Sequence, residues 1–305
     1  DAIINVAVFR GELRDLTGAE AAITAYLETW PDGADAAKLS LALADLYRDQ
    51  KKPAFELRQL ELHQKKYAAE ADEWLAIQHR IALLMEKNGN ARGGRDAYDL
   101  GLAYWRRNKD KVKDRGLALV AQAQYLELEP EFDAYDRITL NVAPKYLKAQ
   151  LEVKAKKLNK LEASYGEIVK LKQPDPAICA LYKIAWGYRR YAEALFAVPV
   201  PKEFRNNAEA VDEYKSQLAQ FAEPLEAKAV EGLELAAKTS RDYAVVNDCA
   251  RKVNELLAKA KPDEYSPTGE LAAPVAWVAP RPTPRGYGPL AAVICTPAAF
   301  AGLSA

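Results

Sequence analysis

Apolar residues recur at spacings of three and four from the N-terminus to about residue 262, and two-residue alternation is nowhere sustained. That is the signature of amphipathic helices and not of half-buried strands. Leu39, Leu43, Leu46 and Tyr47 fall on one helical face, and Ile178, Leu181, Ala185, Tyr188, Ala192 and Leu195 fall on another. Punctuation comes from Pro31, Gly33, Pro53, Gly89, Pro130, Pro174, Pro176, Pro199, Pro201 and Pro262. These breaks predict helices over 2–15, 18–29, 35–49, 53–68, 70–88, 91–107, 116–128, 131–172, 176–197, 205–238 and 242–259. Thr17 and Asp175 are placed to cap helix N-termini, where a side-chain oxygen takes up a free amide proton.

The helices pair, and the pairs recur. Leu43 and Tyr47 are followed thirty-four residues later by Ile77 and Ile81, with Trp74 and Ala97 around them. A first unit reads Ile3, Val6, Ala7, Ala19, Ile23 and Pro31, and a later one repeats the first-helix pattern as Leu181, Ile184, Ala185 and Tyr188. Ala7, Ala44 and Ala185 are small enough to let the second helix of a pair approach the first, while Tyr47 and Tyr188 are expected to fill the gap to the next pair. Each pair leaves an apolar side that only a stacked neighbour closes. Gln78, where a small residue belongs, and Gly93-Gly94 make the third unit degenerate. These offsets match tetratricopeptide units. They predict an all-α, right-handed superhelical α-solenoid, degenerate in the middle, with an irregular Pro/Ala-rich C-terminal tail.

Composition narrows the function. The 305 residues carry 43 Lys and Arg against 43 Asp and Glu, so no global field concentrates nucleic acid or anionic membrane. Organisation is expected as N-terminal repeats over 1–107, a degenerate repeat and long helix over 108–172, a C-terminal helical region over 173–265 and the tail over 266–305. Seven of the 17 prolines lie in that tail, whose only charged side chains are Glu270, Arg281 and Arg285, and it is read as flexible, with a partner-binding extended segment as the alternative. No apolar run is long enough to span a membrane. A chain that opens on Asp1 with Met85 as its one methionine reads as processed or cut from something longer. Cys179 and Cys249 fall on apolar helical faces and are expected to pack as small hydrophobes, indifferent to redox compartment.

Residues 10–68, with Ala22-Ile-Thr-Ala-Tyr26 and Leu43-Ala-Asp-Leu-Tyr47, resemble the tetratricopeptide region of large bacterial envelope proteins. Residues 176–262 are similar to the C-terminal portion of the gliding-motility tetratricopeptide proteins of myxobacteria and related deltaproteobacteria. The similarity is carried by Ala180-Leu-Tyr-Lys-Ile-Ala-Trp-Gly-Tyr188, Val198-Pro-Val-Pro201, Pro224-Leu-Glu-Ala-Lys228 and Lys261-Pro-Asp-Glu-Tyr265. The resemblance implies a periplasmic or outer-membrane-associated scaffold of a trans-envelope assembly and supplies no catalytic residues.

Candidate chemistry is sparse. His63 and His79 sit on different helices without metal-ligand spacing, so no metal and no cofactor is expected. Gly-x-Ser-x-Gly and phosphate-loop motifs are absent from the sequence, and catalysis is not expected, although paired carboxylates of a solenoid cell-wall hydrolase would hide among the helical acids. Two basic clusters stand out: Arg106, Arg107, Lys109, Lys111, Lys113 and Arg115, then Lys145, Lys148, Lys154, Lys156, Lys157 and Lys160. Both read first as solvated faces and second as surfaces for an acidic partner, with anionic polymer or lipid behind. Tyr182, Trp186, Tyr188, Arg189, Arg190 and Tyr191 concentrate the residue types of binding hot spots. The partner-binding candidates are therefore Tyr182, Trp186, Arg189, Arg190, Lys154 and Lys157. The expected partner is a protein held in a superhelical groove lined by first helices. Nucleic acid is not expected, and membrane contact is expected to be peripheral at most.

Overall fold

The computed structural model describes residues 2–265, and for residues 2–4, 7 and 8 the backbone alone. The expectations for the Ile3 and Ala7 side chains and for the 266–305 tail lie outside the described residues. Within them the chain is all-α: α1 (Ala2–Glu12), α2 (Leu16–Thr29), α3 (Ala36–Asp49), α4 (Pro53–Lys66), α5 (Ala71–Lys87), α6 (Ala91–Arg107), α7 (Asp114–Asp136), α8 (Pro144–Lys170), α9 (Pro174–Phe196), α10 (Ala208–Asp242) and α11 (Asp248–Ala260). Two compact units divide between Val112 and Lys113. Each is built of helical hairpins packed in succession, the local arrangement of an α-solenoid.

In the first unit α1 packs on α2, α3 on α4 and α5 on α6, with α2–α3 and α4–α5 contacts joining successive hairpins. Ala19, Ile23 and Tyr26 of α2 share a core with Leu39, Ala42, Leu43 and Leu46 of α3. Each such leucine or isoleucine contributes roughly 1.5–3 kcal/mol by leaving water. Asp15, and not Thr17, caps α2: its carboxylate accepts from the Gly18 amide at 2.9 Å. Ties between hairpins repeat the period, since Gln50 Nε2 donates to the Leu16 carbonyl and the Tyr67 hydroxyl donates to the Pro31 carbonyl at 2.7 Å.

The apparent degeneracy of the third hairpin has a polar explanation. Gln78 is buried, donates to the Ala97 carbonyl at 2.9 Å and accepts from Gln64 at 3.0 Å. Hydrogen bonds there replace the close apolar crossing that a small residue would give. A Cβ at Gly94 would lie 3.1 Å from the Ala82 carbonyl oxygen, so the small residues of this hairpin have moved to α6. Nearby, Arg80 bridges Asp45 of α3 and Glu56 of α4, each at 2.8 Å, and the Glu56 side chain is 4% exposed.

In the second unit α8 packs on α7, and α9 contacts α7, α8, α10 and α11. Phe132, Tyr135, Leu158, Leu161, Tyr165, Ile168, Tyr188 and Leu195 form its larger core. Leu181, Ala185, Leu233, Ala236, Val253 and Leu257 form a second one. All six members of the predicted α9 face are buried. Tyr188 reaches both ways along the chain: its hydroxyl donates back to Glu162 of α8 at 2.7 Å, and the Lys228 ammonium of α10 lies 4.9 Å from its ring centroid. Tyr47 packs 5.4 Å from the Phe55 ring of its own hairpin and also against the α2–α3 core, so it does reach a neighbouring pair.

Three boundaries are corrected here. Pro130 does not end a helix: α7 runs through it to Asp136, with the proline on the exposed side. The helix expected over 131–172 begins instead at Pro144, where a missing N–H costs nothing because the first turn leaves it unbonded. Gln173, not Asp175, holds the N-cap position of α9. The Asp175 carboxylate accepts from Asn247 Nδ2 at 3.1 Å, and Asn247 itself caps α11.

The cysteines correct a further expectation. Cys179 of α9 and Cys249 of α11 are joined by a disulfide, with Cα atoms 5.1 Å apart and a separation of 70 positions in sequence. They are a crosslink and not two packing thiols.

Candidate interaction surfaces

Four of the predicted site residues lie along one strip of α9. The Tyr182 and Trp186 rings stack with centroids 6.3 Å apart and planes 17° from parallel. The guanidinium groups of Arg189 and Arg190 lie 5.8 and 5.9 Å from the Trp186 centroid. Their charges are met within the chain. Arg190 donates to Asp136 of α7 and to Glu193, each at 2.6 Å, and these hydrogen bonds raise its pKa further above an already high value. Arg189 pairs with Glu193 at 3.0 Å. Both aromatic rings are half-buried and pack against the α9–α11 core, and burial pushes the Tyr182 hydroxyl pKa up. The strip is a packed, internally neutralised seam of half-buried side chains.

The two α8 lysines part company. Lys154 is 1% exposed; its ammonium donates to the Ile138 carbonyl at 3.0 Å and the Tyr135 carbonyl at 3.4 Å, and lies 4.4 Å from the Tyr135 ring centroid. It takes up carbonyls at the end of α7 and is unavailable to a partner, which corrects its place among the binding candidates. Burial pushes its pKa down to about 8, opposed by the Asp136 carboxylate and assisted by Arg190. Lys157 points to solvent.

One groove lies elsewhere than expected, and another lies between first helices. In the first unit a groove of about 540 Å³ is walled by Thr24, Leu27 and Glu28 of α2 and by Gln59, Leu62, Lys65 and Lys66 of α4, with Ser40 and Leu43 of α3 as its floor. Second helices of the hairpins, not first helices, make its walls. Its floor is fixed by Gln59 Nε2, which donates to Ser40 Oγ at 2.8 Å. In the second unit a groove of about 490 Å³ runs between Gln122, Tyr125 and Leu126 of α7 and Asp175, Pro176 and Cys179 of α9, closed by Asn247. The disulfide and the Asn247–Asp175 hydrogen bond hold that end together.

Among the described residues no group of three or more His, Cys, Asp or Glu is placed to hold a metal ion, and no helix is long and apolar enough to cross a membrane. His63 is fully buried, with Nε2 3.3 Å from Glu73; burial lowers its pKa against the opposing pull of that carboxylate. His79 packs on the Tyr98 ring, and burial lowers its pKa too. The Arg80 clamp, the α2–α4 groove and the disulfide were invisible to sequence patterning. A half-buried arginine between two acids leaves no periodic trace, and two cysteines seventy residues apart give no spacing that distinguishes a bond from two thiols.

No protein-family model matches the chain, and no curated protein matches it. Among solved structures, the chain is similar to the C-terminal part of a TPR repeat-containing protein from Cytophaga hutchinsonii. Identity is 16% over 85% of this chain and 96% of that one, with a TM-score of 0.27. At that score the two chains do not superpose as one arrangement.

Proposed function

We propose that the chain is a non-catalytic, TPR-like helical-repeat scaffold that holds protein partners on the open surfaces of its hairpins. The α2–α4 groove carries the reading. Leu27, Leu43, Leu62 and Tyr67 line it with apolar surface between polar walls, at a width set by hairpin stacking. An amphipathic helix that lays its apolar face into such a groove is a recurring mode of peptide recognition.

The finer reading places this scaffold in the periplasm or at the outer membrane, in a cell-envelope assembly of the gliding-motility kind. The resemblance over residues 176–262 supports it, and so does the Cys179–Cys249 disulfide, because structural disulfides persist chiefly in oxidising compartments.

A photo-crosslinking side chain at Leu62, with Lys238 as an exposed control, tests the reading in the native cell. Discrete protein adducts from Leu62 and not from Lys238 are expected, in the envelope fraction, with Cys179 and Cys249 oxidised. Equal labelling at both positions would remove the groove. Recovery in the cytosol with both thiols free would remove the envelope assignment.

A further inference from the structure

The buried side of α8 is satisfied: Leu158, Leu161, Tyr165 and Ile168 enter the core and Lys154 is enclosed. Its solvent side is different. Lys145, Lys148, Lys156 and Lys157 are exposed there, and among the described residues none is ion-paired, whereas Lys160 is held by Glu131 at 2.9 Å. Glu152 is the one exposed carboxylate between Lys145 and Lys160. Between these cations stand Tyr146 and Val153, 55% and 46% exposed. Seven residues apart, they share a face about 10 Å long. The Lys145 ammonium lies 4.7 Å from the Tyr146 ring centroid, at one end of that apolar seam.

A basic margin around a short apolar seam, on a chain with no net charge, is complementary to the reverse pattern: apolar residues at i and i+7 flanked by carboxylates. We propose that the solvent face of α8 docks an acidic amphipathic helix of a partner protein, with Tyr146 and Val153 meeting its apolar stripe and Lys145, Lys156 and Lys157 meeting its flanking acids. This rests on the scaffold reading and gives it a second surface with a defined partner chemistry. A lipid surface fits less well. A helix that lies in the membrane interface buries a broad apolar face, and the broad apolar face of α8 is already spent on the core.

Fluorescence anisotropy with the full chain and a synthetic helical peptide, Leu on one stripe and Glu elsewhere, tests the proposal. Binding is expected at low salt and weakens as salt rises. Charge reversal in the Lys156→Glu/Lys157→Glu variant is expected to weaken it roughly tenfold. Tyr146→Ser also weakens it, and a Lys-for-Glu version of the peptide does not bind. Circular dichroism is expected to stay unchanged in both variants, since these side chains are outside the core. Absence of peptide binding, or binding indifferent to charge reversal, overturns the proposal. So does co-sedimentation with phosphatidylglycerol vesicles through the same lysines without peptide binding. Leu62 adducts that persist in the charge-reversed variant while the peptide fails would leave the scaffold reading standing. Loss of adducts at Leu62 in the parent chain removes the scaffold reading itself.

Discussion

Ala185 of α9 and Gly232 of α10 face each other so closely that a Cβ built on Gly232 would lie 3.1 Å from the Ala185 Cβ. Ala185 is 1% exposed, so an added side chain has no solvent to turn into. Ala44, fully buried in α3, is in the same position. Ala185→Leu and Ala44→Leu are each expected to cost about 1–3 kcal/mol by overpacking, read as a lower Tm in thermal unfolding. A Tm unchanged by both would show that neither alanine sits at a tight crossing.

The disulfide should be worth about 2–4 kcal/mol, because it removes a long loop from the unfolded ensemble. Reducing agent, or Cys179→Ser with Cys249→Ser, is expected to lower the free energy of unfolding obtained from urea titration by that amount. Without reductant, peptide mapping after alkylation should find both cysteines unlabelled. Labelling of both in the native protein would contradict the bond.

Arg80 neutralises two carboxylates that have little access to water. Arg80→Ala leaves Glu56 buried and unpaired, and is expected to destabilise by about 3–5 kcal/mol. Removing the acid as well, in Arg80→Met/Glu56→Gln, should recover most of that loss in chemical denaturation. A double variant as weak as the single one would mean that Arg80 acts through packing alone.

Lys154 predicts a pH effect of definite sign. Between about 8 and the ordinary value of 10.5 the unfolded chain keeps the lysine proton that the folded chain has released. Its contribution therefore makes stability rise with pH across that window, while below about 8 the cost of burying the charge is fully present. Buried tyrosines such as Tyr135 act oppositely near the top of the window, since burial holds their hydroxyls protonated. The comparison is thus between parent and Lys154→Met in urea unfolding at about pH 7.5 and pH 10. The parent should gain stability relative to the variant; equal changes in both would show that Lys154 does not titrate there.

Most of the helices were legible because their buried faces repeat every three or four residues, as on α3 and α9. The errors fall where the backbone, and not the pattern, decides. α10 runs four residues past its expected end, to Asp242, and is followed by Ala244 at a φ of 52°. That is a left-handed turn without the glycine that usually announces one. Pro130 looked like a stop and is tolerated on the exposed side of α7, while Pro144, a true start, sits in a stretch without other signals. The candidate surface was less legible still. Spacing placed Lys154 and Lys157 in one basic cluster, yet only three-dimensional packing decides that one meets carbonyls and the other water. The α9 strip was recognisable by residue type, but its neutralisation by Asp136, fifty-four residues away, was not.

Native-state hydrogen exchange, resolved by residue, tests the hairpin stacking most directly. If close crossings of small residues hold the second unit together, the slowest amides between Lys113 and Tyr265 will lie where α9 meets α10. Leu181–Tyr188 and Ala229–Ala237 will then lose protection together in Ala185→Leu. Fast exchange at both segments in the parent chain, or loss of protection in one helix with the other unmoved, would contradict the account.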